Sequence, residues 1–255
     1  MGYEFVKVKN EGGVINVTLD KPPLNVLNIA MMEELILAFK WAQKEEGKLV
    51  LLDAAGKAFC AGVDVADHTD DKVDAMIDVF DRLLISMFDI DKPLVCAVNG
   101  AALGGGSELV IFSDIILLSE KAKIGQPEIL LGVFPPIACY VMPHVLSWPR
   151  AMELLLSGDA IGAERAEYIG LANAVLPADN FGDAVNDYLK KKFLNNSGLA
   201  MALAKKAAKA GLNRGFIGGL KDIDNIYLKE LMISHDAKEG LSAFIEKRKP
   251  VWQGK

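Results

Sequence analysis

The chain has 255 residues, of which 51% are hydrophobic and 24% are charged, which is ordinary for a folded protein with a substantial core. Its length suits one large domain or one domain with a small appendage. Its formal net charge of −6 at pH 7 argues against a nucleic-acid-binding protein, whose affinity comes mainly from clustered Lys and Arg, but not against a small anionic ligand.

Cysteine usage and hydropathy indicate where the protein works. Cys60, Cys96 and Cys139 lie far apart with no paired spacing, which fits neither a disulfide framework nor a zinc site. We therefore expect a reducing, cytoplasmic location. The N-terminus lacks the apolar core of a secretory signal. The most apolar stretch, residues 93–118, is interrupted by charged residues and glycines, so we expect buried core and no membrane association.

The first part of the chain predicts alternating strands and helices. Residues 5–19 have strand character on both sides of a Gly12-Gly13 turn. Residues 28–43 carry apolar side chains at helical spacing, with Asn28 as a plausible N-cap. Further segments of regular pattern predict strands at 49–55, 93–100 and 114–120 and helices at 73–88 and 104–113. This alternation predicts an α/β architecture.

The composition changes after residue 195. From there the chain is rich in Ala, Lys and Leu and shows no convincing strand pattern. We therefore predict an α/β core over residues 1–195 and a helical C-terminal segment over residues 196–255.

Glu108 is a candidate acid or base on local pattern alone. It follows three glycines near the start of a predicted helix, and its helical neighbours Ile111 and Phe112 are apolar. Burial against such neighbours would raise the pKa of the carboxyl group, and shifted carboxyl groups concentrate at active sites. A water-exposed glutamate favoured by the helix dipole explains the pattern equally well. Both interpretations remain open at this point.

Glu128 is weaker in isolation. It follows Pro127, and proline and glutamate both suit the first turn of a helix without any catalytic role.

The glycine run 104–106 permits close approach of a ligand to the backbone. Its N–H groups at a helix start would also suit a developing negative charge, although tight helix packing is the alternative explanation. The run is neither a dinucleotide fingerprint, because Leu109 replaces the third glycine, nor a P-loop. His68, His144 and His235 show no ligand spacing, so we expect no metal site.

Six segments, in order, resemble the enoyl-CoA hydratase (crotonase) family over nearly the whole chain. They are KPPLNVLN (21–28), GKAFCAGVDV (56–65), VNGAALGGGSELVIFSD (98–114), KIGQPEILLGVFP (123–135), GLANAVLPADNF (170–181) and EGLSAFIEKRKP (239–250). The resemblance implies a crotonase-like spiral of ββα units with a C-terminal helical trimerisation segment, and hence a homotrimer or homohexamer. It also implies an acyl-CoA substrate and no separate cofactor, because CoA is part of the substrate.

The resemblance assigns four catalytic positions. The backbone N–H groups of Val63 and Gly105 correspond to an oxyanion hole for the thioester oxygen. Glu108 and Glu128 correspond to the acid/base pair of the family's hydratases, whereas its isomerases commonly keep only one carboxylate. Retention of both implies a hydratase-type lyase that adds or removes water.

The resemblance also assigns residues to CoA. It implies that CoA lies along Val63, Asp64, Val65 and Ala66, and that Lys247 reaches the CoA phosphates. A solvated helix face is the alternative explanation for the charged residues around Lys247.

The segment after Glu128 departs from the glycine-rich stretch of many family hydratases. It reads Phe134-Pro135-Pro136-Ile137, which predicts a rigid apolar loop in which Phe134, Pro136 and Ile137 form the acyl pocket. With both glutamates, this loop resembles the cyclic dienoyl-CoA hydratases, which implies hydration of cyclohexa-1,5-diene-1-carbonyl-CoA in anaerobic aromatic degradation. The alternatives are a straight-chain enoyl-CoA hydratase or isomerase of fatty-acid oxidation, and a non-catalytic acyl-CoA-binding homologue.

Overall fold

The computed structural model describes residues 2–69, 71–210 and 224–251. The strands in chain order are β1 (Val6–Glu11), β2 (Val14–Leu19), β3 (Leu49–Ala54), β4 (Leu94–Val98), β5 (Ala101–Leu103), β6 (Ile115–Ser119), β7 (Lys123–Gly125), β8 (Ala160–Gly162) and β9 (Ala174–Leu176). The α-helices described are α1 (Ile29–Lys44), α2 (Val73–Phe88), α3 (Gly105–Ile111), α4 (Pro136–Val145), α5 (Trp148–Ser157), α6 (Ala163–Tyr168), α7 (Phe181–Leu189), α8 (Gly198–Ala210) and α9 (His235–Ile245).

The larger sheet has six strands in the order β1-β2-β3-β4-β6-β9. Strands β1 and β2 pair antiparallel across the Gly12-Gly13 turn, as the sequence predicts, and the remaining neighbours pair in parallel. Every residue of β4 is buried. Such continuous apolar runs are expected where a parallel sheet is covered on both faces.

A second, three-stranded sheet has the order β5-β7-β8. The chain passes directly from β4 to β5 and from β6 to β7, so each passage contributes one strand to each sheet before the next helical segment begins. This repeated strand–strand–helix pattern agrees with the predicted spiral of ββα units. The small sheet matters for function because α3 follows β5, and the helical turn that carries Glu128 follows β7.

Helices α1 and α2 pack against each other and cover the core. The Asn28 side chain caps α1 as predicted, accepting a hydrogen bond from the Met31 N–H at 3.0 Å. Large side chains such as Phe39 and Leu84 are fully buried between these layers. Each such burial stabilises the fold by about 1.5–3 kcal/mol relative to exposure.

Some elements were not predicted from the sequence. Strands β7, β8 and β9 have three residues each, which is too short for an alternating pattern to show. In the described part of residues 196–251 the structure contains helices and no strand, while the division at residue 195 remains a prediction. Among the described helices, none combines the length and hydrophobicity that crossing a bilayer would need.

Candidate active site

A cavity of about 340 Å³ collects most of the predicted site residues. Its walls come from α2, α3, the segment after β7 and the C-terminal helices. The apolar side chains that line it are Val63, Val65, Met76, Ile77, Phe80, Leu130, Leu131, Val133, Phe134, Pro136, Tyr227, Leu241 and Phe244. Few polar groups interrupt this lining, which is the usual composition of a small-molecule site.

The backbone N–H groups of Val63 and Gly105 lie on the same wall. A Cβ atom built on Gly105 would lie 3.5 Å from the Val63 nitrogen and 2.5 Å from its Cγ2, so only glycine allows this approach. Leu27 pairs with the loop on both sides of Val63, through hydrogen bonds to Gly62 O (2.9 Å) and from Asp64 N (2.7 Å). Within the described residues, neither the Val63 nor the Gly105 N–H donates to a protein acceptor.

Asn25 fixes the loop that carries Val63. It is 1% exposed and adopts a left-handed conformation with φ of 52°. Its Oδ1 accepts from Lys21 N at 2.7 Å, and its Nδ2 donates to the carbonyl oxygens of Ala55 and Ala58 at 3.0 Å each. A buried side chain with all these bonds made holds two loops in one arrangement, because losing any of them would leave a buried polar group unpaired.

Glu108 is buried, at 2% exposure, so the interpretation as a water-exposed helix-start residue is wrong. Its Oε1 accepts hydrogen bonds from the N–H groups of Ile137 and Ala138, both at 2.9 Å, in the first turn of α4. Burial raises the pKa of Glu108 to about 7, although these two bonds favour the ionised form. A carboxyl group with that pKa exchanges protons readily near neutral pH.

Glu128 lies in a 3₁₀ turn, Pro127–Leu131, and also lines the cavity. Its Oε2 is buried and has no hydrogen-bond partner among the described residues. Burial, and then the negative charge of Glu108, raise the pKa of Glu128 well above its usual value. The structure thus brings the two predicted glutamates into one cavity, close enough for the charge of Glu108 to raise the pKa of Glu128.

The predicted CoA-binding residues divide into two groups. Val63 and Val65 line the cavity. Asp64 caps a short 3₁₀ turn through Oδ1, which accepts from Ala66 N at 3.0 Å, and Ala66 is exposed. Lys247 is exposed just beyond the end of α9, whose residues Leu241 and Phe244 form part of the cavity wall.

The predicted acyl-pocket loop is instead the start of a helix. Phe134 and Pro136 line the cavity as expected, but Pro136 occupies the first turn of α4, a position that proline favours. Ile137 is 1% exposed and packs in the core, so its side chain does not line the cavity. Its contribution is the backbone N–H to Glu108, since the first N–H groups of a helix have no partner within the helix.

Several wall residues were not identified from the sequence. Met76, Ile77 and Phe80 appeared only as the apolar face of a helix, and Tyr227 and Phe244 are distant in sequence from both glutamates. No local pattern distinguishes an apolar side chain that lines a cavity from one that fills a core. The sequence alone offered no signal for these positions.

Comparisons with known proteins identify the family of the chain. The chain matches the family model described as Enoyl-CoA hydratase/isomerase over residues 9–255. It is 33% identical to cyclohexa-1,5-dienecarbonyl-CoA hydratase of Thauera aromatica, covering 98% of this chain and 96% of that protein. It is 35% identical to a probable enoyl-CoA hydratase of Rhizobium meliloti (strain 1021), covering 98% of each.

A solved structure with a similar fold also covers the whole chain. The crystal structure of carnitinyl-CoA hydratase from Mycobacterium avium superposes with a TM-score of 0.88 at 30% identity, covering 100% of both chains. Since the family model and these relatives span nearly the entire sequence, the chain belongs to the enoyl-CoA hydratase/isomerase family and has the crotonase fold.

Proposed function

We propose that the protein adds water to the carbon–carbon double bond of a conjugated enoyl-CoA thioester. One observation carries the proposal: two buried glutamates line the same apolar cavity as two backbone N–H groups that have no acceptor among the described residues. In the proposed complex, the thioester oxygen accepts hydrogen bonds from Val63 and Gly105. CoA is part of the substrate, and no separate cofactor is required.

We assign the two glutamates different roles, because hydration needs one group that accepts a proton and one that donates a proton. Glu108 is ionised above pH 7 and accepts a proton from water as the water oxygen bonds to the β-carbon. The π electrons move onto the thioester oxygen, where preorganised donors stabilise the enolate; loss of one such donor typically costs about 10²–10³ in rate. Glu128, whose pKa burial and the charge of Glu108 raise well above its usual value, gives its proton to the α-carbon.

For the substrate we propose a cyclic diene, cyclohexa-1,5-diene-1-carbonyl-CoA, in anaerobic aromatic degradation. The relative from Thauera aromatica is named for hydration of this thioester. Phe134 and Pro136 also give the cavity a rigid, apolar wall. A rigid wall suits a planar ring because little ordering is needed when the ring binds.

A straight-chain enoyl-CoA is the alternative substrate. The relative from Rhizobium meliloti, a probable enoyl-CoA hydratase, is 35% identical and thus as similar as the Thauera aromatica protein. An isomerase of the same family is a weaker alternative, because both glutamates line the cavity.

A substrate panel tests both proposals. Water addition is followed spectroscopically for crotonyl-CoA, a longer straight-chain enoyl-CoA and the cyclic dienoyl-CoA. We expect the highest kcat/KM for the cyclic thioester. A preference for crotonyl-CoA would refute the ring assignment, and no hydration of any thioester would refute the proposed function.

We further propose that the enzyme is cytoplasmic and assembles as a homotrimer or homohexamer. Cys60 and Cys96 are buried free thiols, which suits a reducing compartment. Leu199 and Leu203 lie one turn apart on α8 and are 71% and 54% exposed, as expected for a helix face that contacts another subunit. Light scattering at micromolar concentration checks the assembly, and a monomer would contradict it.

A further inference from the structure

Tyr227 is a buried phenol in the wall of the acyl cavity. It lies at the start of a π-helical turn, Tyr227–Leu231, and is 1% exposed. Its ring meets the ring of Phe134 edge to face, with the centroids 5.3 Å apart. The two rings together form the aromatic part of the cavity lining.

The Tyr227 hydroxyl group has no hydrogen bond to any residue that the structure describes. A tyrosine hydroxyl group at the edge of a mostly apolar cavity normally finds a partner, because a ligand that displaces water from it without replacing the hydrogen bond costs free energy. A phenylalanine at position 227 would make the same ring contact with Phe134, so this contact does not explain the hydroxyl group. We therefore expect the hydroxyl group to find its hydrogen-bond partner in a ligand that enters the cavity.

Glu108 and Glu128 are close enough to Tyr227 to affect the pKa of its hydroxyl group. Burial raises the pKa of Tyr227, and the negative charges of Glu108 and Glu128, when these groups are ionised, raise it further, so the phenol remains a donor at neutral pH. Glu128 Oε2, in the same cavity, is itself buried and has no partner in the part of the chain that the structure describes. The cavity thus contains two polar groups without a partner among the described residues, the Tyr227 hydroxyl group and Glu128 Oε2. A water molecule or a hydroxyl group, which both donates and accepts, satisfies the two together.

We infer that Tyr227 is a third catalytic residue, whose hydroxyl group donates a hydrogen bond to the oxygen atom that water contributes to the acyl group. The inference rests on the proposed hydration. In this role Tyr227 donates a hydrogen bond to the oxygen of the attacking water before addition. After addition it donates to the β-hydroxyl group of the product.

The bond has a physical role in the reaction. As Glu108 withdraws a proton from the water, negative charge develops on the water oxygen, and a phenol donor stabilises that charge. In the reverse direction the same donor stabilises the departing hydroxide. The bond also fixes the position of the oxygen, so it favours ligands with a β-hydroxyl group over ligands without one.

The test measures binding, so that it does not depend on turnover. Dissociation constants are determined for two matched pairs of stable thioesters: 3-hydroxybutyryl-CoA with butyryl-CoA, and 2-hydroxycyclohexanecarbonyl-CoA with cyclohexanecarbonyl-CoA. We expect the wild type to bind the hydroxylated member of at least one pair more tightly. In Tyr227→Phe this preference should fall about three- to tenfold, the usual contribution of one hydrogen bond.

Phe keeps the ring contact with Phe134, so we expect the variant to fold. Tyr188→Phe is the matched control, because Tyr188 lies on α7, outside the cavity. Loss of its phenol hydroxyl group should leave the preference for hydroxylated thioesters unchanged. For the substrate that the panel identifies, Tyr227→Phe should lower kcat with KM for the enoyl thioester nearly constant.

The outcomes separate this inference from the proposed function. An unchanged hydroxyl preference in Tyr227→Phe overturns the role of Tyr227 even if the wild type is an active hydratase. A wild type that binds neither hydroxylated thioester better than its partner also overturns it, and this comparison needs no variant. Failure of the whole substrate panel would instead refute the proposed hydration.

Discussion

The carboxyl group of Glu128 lies in the space that a side chain on Gly104 would occupy. A Cβ atom built on Gly104 would be 2.7 Å from Glu128 Oε1. Gly104 also has φ of 52°, a conformation that L residues other than glycine rarely adopt. One glycine therefore both turns the chain from β5 into α3 and leaves room for the carboxyl group of Glu128.

Gly104→Ala should lower kcat at least about tenfold, because displacement of a catalytic group by about 1 Å can cost ~10²-fold in rate. Gly12→Ala is the matched control, since Gly12 has φ of 59° but no atom within 4 Å of the added Cβ. We expect the control to lose stability while its kcat is retained. Equal kcat losses in both variants would mean that backbone strain, and not the position of Glu128, explains the effect.

Glu108→Gln and Glu128→Gln should each reduce kcat by about 10²–10⁴, the usual contribution of a positioned acid or base. Binding of a saturated acyl-CoA should change little, because glutamine keeps the volume of the side chain. In Glu108→Gln the amide oxygen can still accept from the N–H groups of Ile137 and Ala138. Steady-state kinetics and titration calorimetry check both statements, and near-wild-type kcat in either variant would rule out the two-carboxylate mechanism.

The rate of hydration should have a bell-shaped dependence on pH. We expect activity to rise as Glu108 loses its proton near pH 7, and to fall as Glu128, whose pKa is raised well above its usual value, loses the proton that it must donate. The two apparent pKa values belong to the interacting pair. Measurement of kcat/KM from pH 5 to 10 tests this, and a flat profile across that range would contradict it.

Asp81 on α2 shares a hydrogen bond between carboxyl groups with Asp224. Burial, this bond and the charges of Asp224, Asp78 and Glu108 raise the pKa of Asp81 to about 8. An ordinary aspartic acid loses its proton near pH ~3.9. The folded chain therefore binds more protons than the unfolded chain between these values, and the free energy of unfolding should fall as pH rises through this window.

Asp81→Asn should remove part of that pH dependence, because the amide can still donate to Asp224 and does not ionise. We expect the variant to gain stability relative to wild type as pH rises from 5 to 8, measured as urea midpoints. Asp74→Asn, an exposed carboxylate on the same helix, should leave the slope unchanged. If the stability of Asp81→Asn depended on pH as strongly as that of the wild type, the Asp81–Asp224 pair would not titrate as described.

Phe134→Ala should reduce the preference for a cyclic acyl group. Loss of one apolar contact typically changes discrimination by about 1–3 kcal/mol, so we expect kcat/KM for the ring to fall about tenfold or more relative to crotonyl-CoA. Ile137→Val is the control, since Ile137 lies in the core and leaves the cavity wall intact. If Ile137→Val altered the preference as much as Phe134→Ala, the cavity wall would not determine specificity.

Much of this protein was determined by local sequence. The pattern of residues 28–43 predicted α1 and its Asn28 cap, and the runs at 49–55 and 114–120 predicted β3 and β6, because amphipathic period and capping act within a few residues. The glycine run and the apolar neighbours of Glu108 allowed a close backbone approach and a buried carboxyl group, but each as one of two open interpretations. These features depend on short-range sterics and on hydrophobic burial.

The tertiary structure decided what those residues meet. From the sequence alone, Glu108 could be either exposed to solvent or buried in an active site. The packing of α4 against α3 supplies the N–H groups of Ile137 and Ala138 that hold its carboxyl group. The same packing placed Ile137 in the core and not in the acyl wall. Tyr227 joined Phe134 at the cavity through contacts between segments distant in sequence. Such contacts depend on the relative positions of whole elements, which no local pattern of side chains specifies.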